Sequence, residues 1–260
     1  MAGGAARRAA APVLLDLGRG PEALFAVSRF EPGELVVAGE IPAPADGDYS
    51  WGLGVLVDDV LGYAIVAARP VDGWSVSTQI SIDFVPTSHP VTGFLRAEGR
   101  LLHVDERSGF ACGKVIDESG QVIAYCRQRG RFVQVPGGRQ PHQQGTIAAE
   151  LPPATHDELR ELLHLDEATE ESLTVPVTER LQNPLGNLHG GISLALSGWL
   201  GSSGRPVSSI SVEYVRAVPG GATPTFSATS LHHGRTLAVT QVVSSVVPGK
   251  PCTIATVTRH

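Results

Sequence analysis

Apolar and polar residues alternate in two short segments of the chain that resemble each other. Ile80-Ser81-Ile82-Asp83-Phe84 is repeated as Ile210-Ser211-Val212-Glu213-Tyr214. Alternation with a period of two is typical of a strand with one buried face. Each copy is followed by a turn and further strand-like segments: 92–104, 109–117 and 122–135 in the first half, and 223–232, 236–247 and 252–259 in the second. The pattern therefore predicts two similar halves, each built on antiparallel strands.

An apolar segment of helical length precedes the first long strand in each half, at residues 55–68 and 191–200. The first of these segments is apolar nearly all round, which is typical of a helix buried on every side. We therefore expect a sheet that wraps around it. Asp58 and Asp59 interrupt this segment, and a buried carboxylate is costly unless it is paired or used in chemistry.

The two halves are separated by a stretch rich in Pro, Gly and Gln, residues 136–145, which is typical of a linker. A third helix is predicted just after it, because Thr155 and Glu158 have the spacing of a capping box. The long repeat indicates a duplicated domain rather than a solenoid. The predicted parts are a mobile tail (1–20), a first domain (21–136), a linker (137–154) and a second domain (155–260).

Composition excludes several classes of function. The chain has 26 acidic and 20 basic residues, so its net charge of −6 disfavours nucleic acid as a partner. Three cysteines without CxxC spacing predict neither a disulfide framework nor a zinc site and favour a reducing compartment. The sequence has no HExxH motif, and the pair His232–His233 lacks a third metal ligand at a useful spacing. We expect a cytoplasmic protein with no membrane span, metal or cofactor.

The segment Asn183-Pro184-Leu185-Gly186-Asn187-Leu188-His189-Gly190-Gly191 ends where the second apolar helix is predicted to begin. Two glycines let a ligand approach the backbone closely, and the first N–H groups of a helix lack partners inside it. Together they could bind a developing oxyanion. The alternative is that Gly190 and Gly191 serve only a tight turn.

With Asn183 six residues before His189, this segment resembles the Asn…His-Gly-Gly motif of hotdog-fold acyl-CoA thioesterases of the phenylacetate-pathway type. The resemblance implies an α+β fold in which a long central helix is wrapped by an antiparallel sheet. It also implies a catalytic Asp on that helix, nine positions after the His. Gly198 occupies that position here, so the second half lacks the acid.

The first half has the complementary part of the motif. Leu56-Val57-Asp58 resembles the family's Leu-x-Asp, whereas Tyr49, nine residues earlier, is followed by Ser50 and Trp51 instead of two glycines. Members of the family build each site across a dimer, with a strand hydroxyl where Ser77 lies here. The resemblance therefore implies a double hotdog, whose edge strands join into one sheet. The residues expected at its one complete site are Asp58 and Ser77 from the first half and Asn183, His189 and Gly190 from the second.

The second composite site, which would pair Tyr49 and Trp51 with Gly198 and Val207, is expected to be inactive. At the complete site, hydrolysis of a thioester needs an activated water and a stabilised oxyanion. One carboxylate can suffice, because the leaving group is a thiolate. Its conjugate thiol has a pKa of roughly 8.5, so the thiolate leaves without much help from an acid. Asp58 could serve as general base or as nucleophile.

The resemblance also suggests roles for the remaining site residues. The Gly190 N–H would bind the oxyanion, Asn183 and Ser77 would orient the water, and His189 would fix the loop or the thioester carbonyl. Asp59 lies about 100° round the helix from Asp58, so only one of the two carboxylates, that of Asp58, is expected to face the site.

Other functions remain open at the level of sequence. A double hotdog could bind acyl-CoA or acyl chains without turnover. A hotdog hydratase ranks last, because the chain has no Asp-x4-His. A neighbouring type of tandem thioesterase uses an Asp, Gln and Thr set, but the His-Gly-Gly motif favours the first type. Hotdog dimers often pair back to back, so the resemblance also raises a homodimer, for which no residue gives a signal.

Three arginines, Arg127, Arg129 and Arg131, alternate along a predicted strand and should share one face. That face could contact the phosphates of an acyl-CoA substrate, or it could simply be solvated.

Overall fold

The computed structural model describes residues 20–33, 35–43, 50–69, 73–134, 153–202 and 206–260. The predicted tail up to residue 19, most of the predicted linker and Tyr49 lie outside the described residues. Among the described helices, none combines the length and apolar character that crossing a membrane requires.

One antiparallel sheet of 11 strands runs through the described residues. In chain order, strands β1 to β11 are Ser28–Pro32, Val37–Pro42, Gly73–Phe84, Phe94–Val104, Ser108–Asp117, Val122–Gln134, Ser172–Thr174, Ser209–Tyr214, Thr225–His233, Ala238–Val247 and Lys250–Arg259. Strands β1 to β6 come from the first half of the chain and β7 to β11 from the second, and their order in the sheet is β1-β2-β4-β5-β6-β3-β8-β11-β10-β9-β7.

The four α-helices of the described residues are α1 (Gly20–Leu24), α2 (Ser50–Val66), α3 (His156–Leu162) and α4 (Gly190–Ser202). Helix α3 begins with the predicted capping box, in which Thr155 Oγ1 accepts from the Glu158 N–H at 3.3 Å. The long strands and both apolar helices are confirmed. The predicted starts of α2 and α4 were wrong, since α2 begins five residues earlier than expected and α4 one residue earlier.

The early start of α2 has a packing reason. Its first turns contain Gly52 and Gly54, which look like helix breakers in the sequence but permit close contacts. A Cβ on Gly52 would lie 2.9 Å from Ile41 Cδ1, and one on Gly54 would lie 2.5 Å from the carbonyl oxygen of Gly191. Tertiary packing therefore outweighs the weak helix propensity of glycine here.

The two copies of the repeated segment pair with each other at the centre of the sheet. Strand β3 lies antiparallel to β8, with Ser81 opposite Ser211 and Ile80 opposite Val212. Because equivalent residues of the repeat face each other, a pseudo-twofold axis passes between Ser81 and Ser211. The prediction of one continuous sheet is confirmed by this pairing.

Helices α2 and α4 pack against each other on one face of the sheet. They approach most closely where Gly54 meets Gly191, with no room for a side chain on either residue. Helix α2 is buried on nearly all sides, as its apolar pattern predicts, and Leu53, Leu56 and Leu61 are fully buried. This crossing places the first turn of α4 beside Asp58, which lies one turn further along α2.

Candidate active site

The loop before α4 is held by its own hydrogen bonds. Asn183 Oδ1 accepts from the N–H groups of Leu185 at 3.0 Å and Asn187 at 3.1 Å. The N–H of His189 donates to the carbonyl oxygen of Leu181 at 2.9 Å. Asn183 therefore orders the loop that presents His189 and the first N–H groups of α4, and its Oδ1 is already used for that purpose.

The carboxylate of Asp58 receives hydrogen bonds from both halves of the chain. Ser77 Oγ donates to its Oδ1 at 3.0 Å, and the N–H of Gly191 donates to its Oδ2 at 3.0 Å. A Cβ on Gly190 would lie only 2.5 Å from Oδ2. The helix start in the second half thus lies directly against the carboxylate from the first half.

A β-bulge explains why Ser77 faces Asp58. The register between β3 and β6 shifts between Ser77 and Gln79. Ile80 and Ile82 point into the core, so uninterrupted alternation would turn Ser77 to the opposite face. The extra residue in the bulge reverses that alternation and points Ser77 inward.

Gln128 is a site residue that the sequence analysis missed. It lies on β6 and is buried, and its Nε2 donates to Asp58 Oδ1 at 2.9 Å and to Ser77 Oγ at 2.8 Å. Its Oε1 is buried without a hydrogen-bond partner among the described residues. The sequence did contain a signal for Gln128. Arg127 and Arg129 were expected on the outer face of the strand, so the residue between them must face inward, and that residue carries an amide.

His189 lies between two buried carboxyl groups, those of Glu22 and Asp59, and the partly buried carboxyl group of Asp58. Its Nδ1 is 3.4 Å from Asp58 Oδ2, and its Nε2 is 3.4 Å from Asp59 Oδ1 and 3.9 Å from Glu22 Oε1. The expectation that only one of the two aspartates would face the site was wrong, because both contact His189 and line the cavity. The imidazole has a nitrogen on each side of the ring, so it reaches Asp58 and Asp59 together, although they lie on different sides of α2.

Electrostatics in this cluster favour a charged imidazole. Burial alone would lower the pKa of His189, but Asp58, Asp59 and Glu22 outweigh it and raise that pKa to about 10. Burial raises the pKa of Glu22 to about 8, aided by nearby Asp59 and opposed by His189. Burial also raises the pKa of Asp59, against the opposing hydrogen bond from His189.

Ligand atoms of Glu22, Asp59 and His189 lie within 4.8 Å of one another, a spacing that a metal ion could bridge. A protonated imidazole between these carboxyl groups accounts for the same arrangement through charge and hydrogen bonding. Glu22 comes from the short helix α1, far from the predicted motifs, and no sequence pattern pointed to it.

All five predicted site residues line one cavity of about 630 Å³. The polar groups around Asp58 form part of its lining. It extends along apolar side chains of α2, β3 and β6, and Arg131 and Arg216 also line it. The apolar side chains are Tyr63, Val66, Trp74, Val76, Phe132 and Val133. The structure therefore brings the predicted residues together beside a space suited to an apolar group.

The pseudo-twofold axis relates this site to a region without polar machinery. Gly198 stands where the second half would need an acid, and a Cβ there would lie 2.5 Å from Ile210 Cδ1. Matching Ile80 to Ile210 in the strand register relates Gln128 to Val257. Trp51 is buried beside Trp199, with ring centroids 6.3 Å apart. Apolar packing therefore fills the counterpart of the site.

Two of the three alternating arginines, Arg127 and Arg129, have local partners on the outer face of the sheet. Arg127 Nε donates to Ser81 Oγ at 2.7 Å, and the Arg129 guanidinium lies 4.4 Å from the ring centroid of Phe110. All three arginine residues are exposed. Contact with the phosphates of a ligand stays a prediction. His232 and His233 end β9 and are exposed.

Two family models match the chain, and each matches one half. The model of the acyl-CoA thioesterase C-terminal domain matches residues 34–132, and that of the acyl-CoA thioesterase N-terminal domain matches residues 179–260. The chain is a member of an acyl-CoA thioesterase family. It is a thioester hydrolase, and its two halves stand in the reverse of the order in which the family models are named.

Solved structures of thioesterases share the fold of this acyl-CoA thioesterase family member. A protein described as an oleoyl thioesterase, from Lactobacillus plantarum, has a TM-score of 0.57 and 15% identity, with 89% of this chain and 96% of that chain covered. Acyl-CoA thioesterase II from Mycobacterium marinum has a TM-score of 0.52 and 10% identity, with 92% and 95% covered.

An acyl-ACP thioesterase from Bacteroides thetaiotaomicron has a TM-score of 0.53 and 13% identity, with 85% and 96% covered. These likenesses concern the fold, which is hotdog-like, with a large antiparallel sheet and few helices. A comparison with curated proteins gives no significant match.

Proposed function

We propose that this thioesterase is a double hotdog that hydrolyses acyl-CoA to a free acid and coenzyme A at one composite site between its halves. The observation that carries the proposal is the 3.0 Å hydrogen bond from the Gly191 N–H, in the second half, to Asp58, in the first. Neither half alone holds both a carboxylate and a helix start with glycines, and this contact brings the two together.

Asp58 acts as the general base in this proposal. Ser77 and Gln128 fix its Oδ1, while Gly191 fixes its Oδ2. A water in the cavity would donate one proton towards the Asp58 carboxylate as its oxygen attacks the thioester. Since both carboxylate oxygens are held by donors, activation of water is favoured over direct attack by Asp58 to form an anhydride.

The oxyanion that forms when water attacks the thioester carbonyl needs a donor close to Asp58. The first N–H groups of α4 are free of partners inside the helix and carry partial positive charge. We assign the Gly190 N–H to this role, because the missing side chain lets the thioester carbonyl approach. The coenzyme A thiolate then leaves, and the proton taken by Asp58 can pass to solvent or product.

The set of Asp58, Ser77 and Gln128 supports a closer relation to tandem thioesterases with an Asp, Gln and Thr set than the His-Gly-Gly motif alone suggested. The site also retains that motif, with His189 clamped between carboxyl groups. We therefore infer that this chain combines the Asp, Gln and Thr set of one thioesterase type with the His-Gly-Gly motif of the other, and that Ser77 replaces the threonine.

Replacement of Asp58 tests the proposal directly. Asp58→Asn keeps the shape but removes the base, so we expect kcat to fall by roughly 10²–10⁴ with little change in KM. The measurement is release of free thiol from a series of saturated and aromatic acyl-CoA substrates. The matched control is Asp83→Asn, an exposed aspartate on β3, which should keep full activity. Full activity of Asp58→Asn would overturn the proposal.

A further inference from the structure

One peptide unit connects Asp58 to a tyrosine that the proposed mechanism does not use. The N–H of Gly191 donates to Asp58 Oδ2 at 3.0 Å and is shared with His189 Nδ1 at 3.1 Å. The C=O of the same peptide unit, which belongs to Gly190, accepts a hydrogen bond from Tyr214 Oη at 2.7 Å. In a trans peptide these two groups point in opposite directions, so the peptide is held from both sides.

The tyrosine hydroxyl is a dependable donor. Burial raises the pKa of Tyr214 well above its ordinary value, and the charges of Asp58 and Glu213 raise it further. The hydroxyl therefore keeps its proton throughout the pH range in which the protein works. A donor at a peptide C=O polarises the N–H of the same unit, and chains of hydrogen bonds strengthen one another by about 10–30% per bond.

The pseudo-twofold axis provides an independent observation. Tyr214 occupies the last position of the repeated segment, where the first half has Phe84. The hydroxyl is thus present only beside the polar site. Asp58 and Gln128 show the same asymmetry, because their counterparts across the axis, Gly198 and Val257, also lack the polar group. A tyrosine needed only for packing would not have to follow this division.

We propose that Tyr214 is a positioning residue that orients and polarises the Gly190–Gly191 peptide, and through it holds the Asp58 carboxylate in place to activate water. This role rests on the proposed function of Asp58. Because the hydroxyl bonds to backbone rather than to substrate, it should affect the chemical step and leave substrate binding unchanged.

The variant Tyr214→Phe tests this role in the full chain. It removes one oxygen, and phenylalanine already occupies the equivalent position in the first half, so we expect normal folding. We expect kcat to fall about tenfold with KM unchanged, consistent with the loss of one hydrogen bond. Tyr125→Phe, which removes an exposed hydroxyl on β6, is the matched control and should keep full activity.

Nuclear magnetic resonance supplies a second readout that does not depend on turnover. In Tyr214→Phe the amide proton of Gly191 should move upfield, because its N–H is less polarised and its bond to Asp58 is weaker. An unchanged Gly191 signal, or a rise in KM with unchanged kcat, would overturn the role of Tyr214. If Asp58→Asn stayed fully active, the proposed function would fail, whereas the Gly191 signal would still report on the hydrogen bond.

Discussion

Gly190 is the residue whose lack of a side chain matters most at the site. A Cβ at this position would lie 2.5 Å from Asp58 Oδ2, so Gly190→Ala must push the carboxylate away from its donors. A displacement of about 1 Å at a reacting group can cost roughly 10²-fold in rate, and we expect a fall in kcat/KM of about that size.

Steady-state kinetics with acyl-CoA test the effect of Gly190→Ala, and Gly198→Ala is the matched control. An added Cβ at Gly198 also meets an atom at 2.5 Å, but that atom is the end of the Ile210 side chain in the region without polar machinery. Gly198→Ala should therefore keep its activity. Equal losses in the two variants would contradict the assignment.

The buried Glu22 should make stability depend on pH. The folded protein keeps the Glu22 proton up to a pKa of about 8, whereas the unfolded chain releases it near 4.5. The unfolded state therefore gains from deprotonation, and this contribution lowers the free energy of unfolding as pH rises from about 5 to 8. His189, with a pKa of about 10, adds a decline of the same sign above its ordinary 6.5.

Glu22→Gln removes the first of these contributions. Urea denaturation at pH 5 and pH 8 should show a smaller loss of unfolding free energy in Glu22→Gln than in the wild type. The exposed Glu106 supplies a control, because Glu106→Gln should behave like the wild type. A loss of unfolding free energy in Glu22→Gln as large as in the wild type would contradict the raised pKa of Glu22.

The site residues differ in how far the sequence could predict them. Spacing along the chain pointed to Asp58 and His189, because a motif preserves distances within one segment. Gln128 and Glu22 were missed, since each reaches the site through tertiary packing of a distant element. For Gln128 the alternation of β6 held a usable signal, but for Glu22 the sequence offered none.

At the scale of elements, the crossing of α2 and α4 sets the distance between the halves of the site. A Cβ on Gly54 would lie 2.5 Å from the backbone oxygen of Gly191, which cannot rotate away as a side chain can. Gly54→Ala should therefore separate the helices, lowering the free energy of unfolding by about 1–3 kcal/mol and also reducing kcat.

Gly52→Ala is the matched control on the same helix. A Cβ there meets the side-chain ends of Ile41 and Phe25, which can shift by a few tenths of an ångström. Denaturation and thiol-release assays of both variants should show the larger loss in Gly54→Ala. The opposite order would mean that the helix crossing does not control the site.

Long elements were predictable because their periodicity extends over many residues. The short elements α1, β1, β2 and β7 were missed, because three to six residues give too little pattern to distinguish them from loops. The bulge at Ser77 was also invisible in the sequence. It follows from the register between β3 and β6, which no single segment determines.

For the whole molecule, we predict about one ligand per chain. The counterpart of the site contains Gly198 and a buried Trp51, and it lacks a carboxylate on α4. Calorimetric titration with a non-hydrolysable acyl-CoA analogue measures the stoichiometry. Two equivalent ligands per chain would contradict the interpretation that the counterpart is filled by packing.

The repeated segment was enough to predict one continuous sheet, since two similar strands at the edges of similar domains can pair across a twofold axis. The reverse order of the halves relative to the family models was not predictable from this chain alone. The two halves are related by the pseudo-twofold axis between Ser81 and Ser211, so their pairing is the same whichever half comes first in the chain.

That axis also changes what natural selection must maintain. A dimer of identical subunits has to encode the acid and the glycine loop in every copy of its gene. Once two copies are joined in one chain, one half can lose the acid and the other can lose the glycine loop. One complete site remains as long as the two halves do not lose the same part. The packed indole rings of Trp51 and Trp199 occupy the equivalent region in this chain and contribute to its hydrophobic core.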